Sequence, residues 1–169
     1  TLGVIKAIPI SDNRIASCSF DKTIRIWQSQ MPYSCLNILI GHTERINSII
    51  SLKNNFQIVS GSSKSDNSIR VWNINDYKCD GIVHDVSCCY KNGLIEIDEE
   101  KVLSGSQRGI SVVDIEKMEI VKIITLENLG CTMCLLLNKD NSIMISGDKG
   151  VTFQYDLEHE EIIAKKEKM

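Results

Sequence analysis

The sequence predicts an all-β protein made of four antiparallel, four-stranded units in a row. Three observations carry that prediction. A stretch ending in tryptophan, SFDKTIRIW at Ser19–Trp27, returns as SDNSIRVW at Ser65–Trp72, with an aspartate six residues ahead of the tryptophan in both. Fainter copies end at Val113 and Tyr155, so the marker positions 27, 72, 113 and 155 recur at a little over forty residues. Within each period the apolar residues alternate or run in fours. No segment sustains a 3.6-residue period over three turns, which excludes helical repeats.

The elements follow in order within each unit. In the first, the apolar positions Val4, Ala7, Ile8 and Ile10 form a strand, SDN from Ser11 turns the chain, and RIAS returns it to Ser17. The second repeats this with Ile46, Ile49, Ile50 and Leu52, a KNN turn from Lys53, and QIVS ending at Ser60. Its four strands are expected near 46–52, 57–60, 68–72 and 78–83. Asn, Asp, Gly and Ser separate them, residues that enter turns at low steric cost. The third copy reads GLIEI from Gly93, DEE, KVLSG and GISVVD to Asp114; the fourth reads CLLL from Cys134, NKDN, SIMISG and VTFQYD to Asp156. Four short strands per forty-residue period describe the blades of a β-propeller, here about 1–41, 42–83, 84–125 and 126–169.

Gly41-His42, Ser60-Gly61-Ser62, Asp66 and IRVWN resemble the WD-repeat β-propeller family. The resemblance is strong over the first two units and moderate over the last two. It departs from the family pattern after the tryptophans, where Gln28 and Asn73 replace aspartate, while Asp114 and Asp156 keep the aspartate but follow Val113 and Tyr155. Only one clear Gly-His is present, and His84 is a candidate for a shifted second copy.

The ends share a phase. Thr1 aligns with Thr43, just after Gly41-His42, and Met169 falls just before the place where the next such pair is due. The family closes its rings with about seven blades, so the expectation is an open partial arc of a larger propeller. The remaining blades of the same longer chain would then be its neighbours. Such an arc exposes an apolar blade face at each end, a liability for self-association.

Several constellations invite a chemical reading. His42, Ser60, Asp66 and Trp72 contain the residue types of a Ser-His-Asp nucleophile. The family resemblance implies instead a structural hydrogen-bond network, with the Trp72 indole donating to Ser60, Ser60 bonded to His42, and Asp66 holding the other imidazole nitrogen. A buried indole N–H needs an acceptor, and no glycine-rich oxyanion hole is in place, so the structural role is favoured. Ser17, Asp21 and Trp27 form the same set without a histidine, and Trp27 is expected to be a blade-to-blade packing anchor. Cys131-Thr-Met-Cys134 is a lone CxxC with no second pair for zinc, and Cys88-Cys89 has the wrong spacing. Aligned with the apolar pairs Val4/Ala7 and Ile46/Ile49, it is expected to be core. Asp98–Glu100 form an acidic surface turn, and Glu96 lies in a strand. No metal and no cofactor are expected.

What remains is surface recognition. By the family resemblance, a partner-binding rim would include Phe20 and Ser65, each directly before a turn aspartate, with Glu44, Arg45 and Asn47 after the Gly-His. Phe20 stands out as an aromatic at a loop tip. Arg25 and Arg70 fall in strands, so no arginine cluster for phosphorylated peptides is formed. The leading function is a non-enzymatic scaffold or adaptor that presents this rim to a protein partner. The alternatives are the substrate-recognition propeller of a ubiquitin ligase complex, although the Trp-Asp-x-Arg adaptor signature is missing, and a propeller hydrolase with a channel metal.

The formal charge of −3 argues against nucleic acid, with lysines clustered only at 165, 166 and 168 among glutamates. No apolar run spans a bilayer, and paired basic residues for lipid are missing, so no membrane partner is expected. Seven cysteines in strand-like segments fit a reducing, cytoplasmic or otherwise intracellular setting.

Overall fold

The computed structural model describes residues 2–63, 65–88, 90–107 and 109–167. Sixteen strands occur among them: β1 (Val4–Ile10), β2 (Arg14–Ser19), β3 (Thr23–Gln28), β4 (Cys35–Ile40), β5 (Ile46–Ser51), β6 (Gln57–Ser62), β7 (Ser68–Asn73), β8 (Lys78–His84), β9 (Leu94–Glu96), β10 (Lys101–Gly105), β11 (Gly109–Asp114), β12 (Glu119–Thr125), β13 (Thr132–Leu137), β14 (Ser142–Gly147), β15 (Val151–Asp156) and β16 (Glu161–Glu167). They form four antiparallel meanders of four strands each. Thr1, Cys89, Lys168 and Met169 lie outside the described residues.

Turn chemistry explains the hairpins. Asn13, Asn55 and Asn141 close the first hairpin of their sheets with φ of 54°, 64° and 65°, a left-handed conformation that asparagine tolerates better than most residues. Asp114 and Asp156 open the last hairpins of their sheets. The Asp114 carboxylate accepts the N–H groups of Glu116 (3.1 Å) and Lys117 (2.8 Å), and Asp156 does the same for Glu158 and His159. Asn73 accepts from the Asn75 N–H at 2.9 Å, so it performs the turn task of the aspartate it replaces.

The repeat holds at the level of register. Ile15 pairs with Trp27, Ile58 with Trp72, Val102 with Val113 and Ile143 with Tyr155. Each of those four partners also sits at a β-bulge against the outermost strand. Tryptophan, valine and tyrosine therefore occupy one structural position.

Packing between sheets makes the core. One apolar cluster joins Ala16, Ile24 and Ile26 of the first sheet to Ile49, Ile58 and Trp72 of the second. A second joins Val59, Ile69 and Val71 to Leu94, Val102 and Val113. The third joins Leu103, Ile110 and Val112 to Ile143, Phe153 and Tyr155. Sandwiched strands lose the alternation of a half-buried sheet: every residue of β11 is buried, whereas β3 and β15 alternate. The sheets do not close on one another. Val4, Ile38 and Ile40 stay exposed on the first, and Leu136 on the last. The innermost strands β1, β5, β9 and β13 neighbour one another along the arc.

Three expectations need correction. Trp27 is half-buried on the open face of the first sheet and anchors no second sheet among the described residues, whose packing on the first sheet uses the opposite face. His84 is the last, exposed residue of β8 opposite Ser68, so it is no second Gly-His copy. The CxxC alignment is one residue out of step. Val4, Ile46 and Thr132 occupy equivalent places opposite Ser19, Ser62 and Gly147. Cys134 therefore matches Lys6 and Ser48, not Ala7 and Ile49, and both Cys131 and Cys134 are only half-buried.

Candidate functional site

Gly41-His42 lies between β4 and β5, Ser60 within β6, Asp66 in the β6–β7 turn and Trp72 within β7. Strand pairing brings these separated residues together. His42 Nε2 is 2.7 Å from Ser60 Oγ, Trp72 Nε1 donates to the same Oγ at 2.8 Å, and His42 Nδ1 is 3.2 Å from both Asp66 oxygens. Asp66 also accepts from the Thr43 N–H and the Ser68 hydroxyl. Gly41 leaves room for a close approach: a Cβ there would stand 3.0 Å from the Trp72 ring and would displace the Arg70 guanidinium, 2.8 Å away.

One protonation state satisfies every member. Burial pulls the His42 imidazole down to about 4, against the opposing pull of the Asp66 carboxylate, so the ring is neutral at pH 7. Burial raises the Asp66 carboxyl, but hydrogen bonds from Ser68, the Thr43 N–H and His42 outweigh it and hold the group at about 2. Nδ1–H then donates to Asp66, Nε2 accepts the Ser60 proton, and the Ser60 oxygen accepts the indole N–H. These are the distances of a nucleophile triad, but Ser60 is 0% exposed and its oxygen already accepts the indole N–H. No substrate reaches it.

The rest of Ser60-Gly61-Ser62 also has tasks. Ser62 Oγ donates to the Arg45 carbonyl at 2.8 Å. A Cβ on Gly61 would lie 2.5 Å from the Cβ of Cys88, so the bare glycine lets the segment before β9 pack on the second sheet. In the first sheet Trp27 donates to Ser17 at 2.8 Å, and Asp21 accepts from Thr23 and pairs with Arg25 at 3.3 Å.

The residues expected at the rim divide. Phe20, 40% exposed, lies at the β2–β3 turn with its N–H bonded to the Gly3 carbonyl at 3.1 Å. The Arg45 guanidinium stands over its ring at 5.6 Å. Ser65 is exposed and donates to Glu44 at 3.4 Å. Asn47 corrects the expectation: it is 4% exposed, and its amide donates to Ser63 (2.8 Å) and the Cys88 carbonyl (2.7 Å). Such an amide clamps the chain from inside with its N–H groups committed, while the residue itself lines the cleft beside Phe20.

Phe20 and Arg45 open onto a cleft of about 310 Å³ at the inner edge of the arc, with Ile5, Asn47, Tyr90, Lys91, Asn92 and Met133 around it. Tyr90, Lys91 and Asn92 reach this place because Asn92 bridges to Cys134 and its carbonyl accepts the Leu135 N–H at 3.1 Å. Sequence reasoning missed this wall. It comes from three distant segments, one of them the stretch before Gly93 where the repeat pattern breaks down. A second cleft, lined by Glu96, Glu99, Glu100 and Glu116, is acidic, but Glu96 already accepts the Lys53 N–H at 3.2 Å. No group of three or more metal-ligating side chains is assembled among the described residues.

The family profile of the WD domain, G-beta repeat, matches residues 4–28 and 33–73. Residues 4–28 and 33–73 carry WD40 repeats. The matched segments contain both tryptophans, the Gly-His and the buried network, and the third and fourth sheets continue the same strand register beyond them. A comparison with curated proteins finds no match. WD40 repeats generally serve as scaffolds for protein–protein interaction.

Proposed function

We propose that this WD40 chain is a non-enzymatic interaction scaffold and that its partner contacts the inner rim at Phe20, with Arg45, Glu44 and Ser65 beside it. The single observation that carries the reading is the exposure of Phe20 on an otherwise polar turn, above a cleft to which all four units contribute. Exposed aromatics next to arginine over a concave apolar floor are the composition of interface hot spots. The Ser-His-Asp set supports the non-enzymatic reading because its serine is sealed. The open face of the first sheet, with Val4, Ile38 and Ile40, supports the further reading that more blades or a second copy pack against it.

Affinity recovery from cell extract with the whole chain and with Phe20→Ala tests the rim. At least one protein held by the parent chain is expected to disappear with the variant. Equal recovery of every protein by both forms removes Phe20 from the interface.

A further inference from the structure

We propose that the Phe20 cleft receives an acidic protein segment carrying one apolar anchor residue, with the anchor against Ile5, Phe20 and Met133 and flanking carboxylates on Arg45 and Lys91. The proposal rests on the rim reading above and adds the chemistry of the partner. The cleft floor is apolar, and Phe20 and Met133 are each 40% exposed. A volume of about 310 Å³ is at the lower end of roughly 300–1,000 Å³ pockets, enough for one side chain and too little for a folded element.

The charge at the cleft is of one sign. Its ionisable lining residues are Arg45, Lys91 and Tyr90, in a chain whose formal charge is −3. Among the described residues, no ion pair engages Arg45, Lys91 or the neighbouring Lys6. The nearest acidic side chains in sequence are turned elsewhere, Glu44 to Ser65 and Asp21 to Thr23 and Arg25. The Arg45 Nε is buried without a hydrogen-bond partner, and its plane is braced by Phe20. Burial holds the Lys6 ammonium below the usual lysine range, and nearby Lys91 pushes it the same way. Unpaired cations beside a low-dielectric floor attract carboxylates more strongly than the same cations in open water. A guanidinium braced on an aromatic ring also presents its remaining N–H groups in a fixed plane, which suits a carboxylate.

The test is selection of a random dodecapeptide library on the whole chain, followed by fluorescence anisotropy of the enriched peptides against the parent, Phe20→Ala, Arg45→Glu and Lys91→Ala. All four proteins are first shown to share one thermal unfolding midpoint; Lys91 is exposed, so Lys91→Ala keeps the test informative if another variant is destabilised. The expected binders place Asp or Glu beside Leu, Phe or Trp. They lose about tenfold or more in affinity with Phe20→Ala and Arg45→Glu, severalfold with Lys91→Ala, and weaken as salt is raised. Neutral or basic binders that depend on Phe20 overturn the acidic chemistry while leaving the rim reading intact. Binders indifferent to Phe20, or no binders, overturn both. Equal binding of oligothymidylate or of phosphatidylserine vesicles in place of the peptides also overturns the proposal, since the cleft would then select charge alone.

Discussion

His42 Nε2 lies 2.7 Å from Ser60 Oγ, and Ser60 is wholly buried. Removal of the hydroxyl in Ser60→Ala strands the imidazole nitrogen and the Trp72 N–H together. A loss of about 2–3 kcal/mol in urea unfolding is expected. Ser17→Ala removes the same bond from Trp27, but that indole is half-exposed and water replaces the oxygen. Its cost is expected to stay under about 1 kcal/mol. Equal losses at the two sites would show that burial of the second tryptophan has no energetic consequence.

Acid acts on the same network. The His42 pKa is about 4 folded and 6.5 in the unfolded chain, so between those values only the unfolded chain takes the proton. Stability is therefore expected to fall as pH drops from about 6.5 to 4, by about 3 kcal/mol, and to level off below that for this group. Asp66 titrates from 3.8 to about 2, and its contribution is lost next, as pH falls through that lower range. His42→Gln should be less stable than the parent at pH 7 by about 1–3 kcal/mol and lack the upper acid step. Chemical denaturation at a series of pH values checks both points, and an unchanged pH profile in the variant would exclude His42 as the group responsible.

Gly61→Ala places a methyl group against Cys88 and must push the segment before β9 off the second sheet. A loss of about 1–3 kcal/mol is expected, with faster amide exchange concentrated between residues 86 and 93. The double variant with Cys88→Gly should recover part of the loss, because it removes the atoms the methyl meets.

Trp72→Ala opens a cavity between two sheets, for which about 3–5 kcal/mol is expected; Trp27→Ala, at a free face, should cost much less. The same free face carries Val4, Ile38 and Ile40. Ile40→Lys, at a residue 76% exposed, is expected to leave the unfolding midpoint unchanged and to shift sedimentation toward smaller species. A parent chain already monomeric at high concentration would contradict that expectation.

Much of the fold was legible because alternation and turn residues act locally. Asn and Asp set most of the hairpins, and the tryptophan position returned four times even where valine or tyrosine filled it. The exceptions have physical causes. Thr132 takes an inward, buried place by donating its hydroxyl to the Gly109 carbonyl at 2.7 Å, a bond between distant residues that hydropathy cannot reveal. An alignment that followed apolar letters therefore slipped to the cysteines. Asn47 reads as a surface residue until Ser63 and the Cys88 carbonyl, 41 residues away, are seen to claim its amide. Trp27 and Trp72 have matching sequence surroundings, and only the presence of a packed neighbour separates their exposures. The cleft under Phe20 was legible at one of its walls alone.

The bulge at Trp27, Trp72, Val113 and Tyr155 has a practical consequence. Each β2–β3 type loop is flanked by strands whose rungs are numbered alike, whatever side chains they carry. Those loops are thus exchangeable cassettes. Moving Phe20–Lys22 onto the place of Ser65–Asn67 would transplant the aromatic tip by one position along the arc, converting a recognition surface into something that can be rewired without redrawing the frame beneath it.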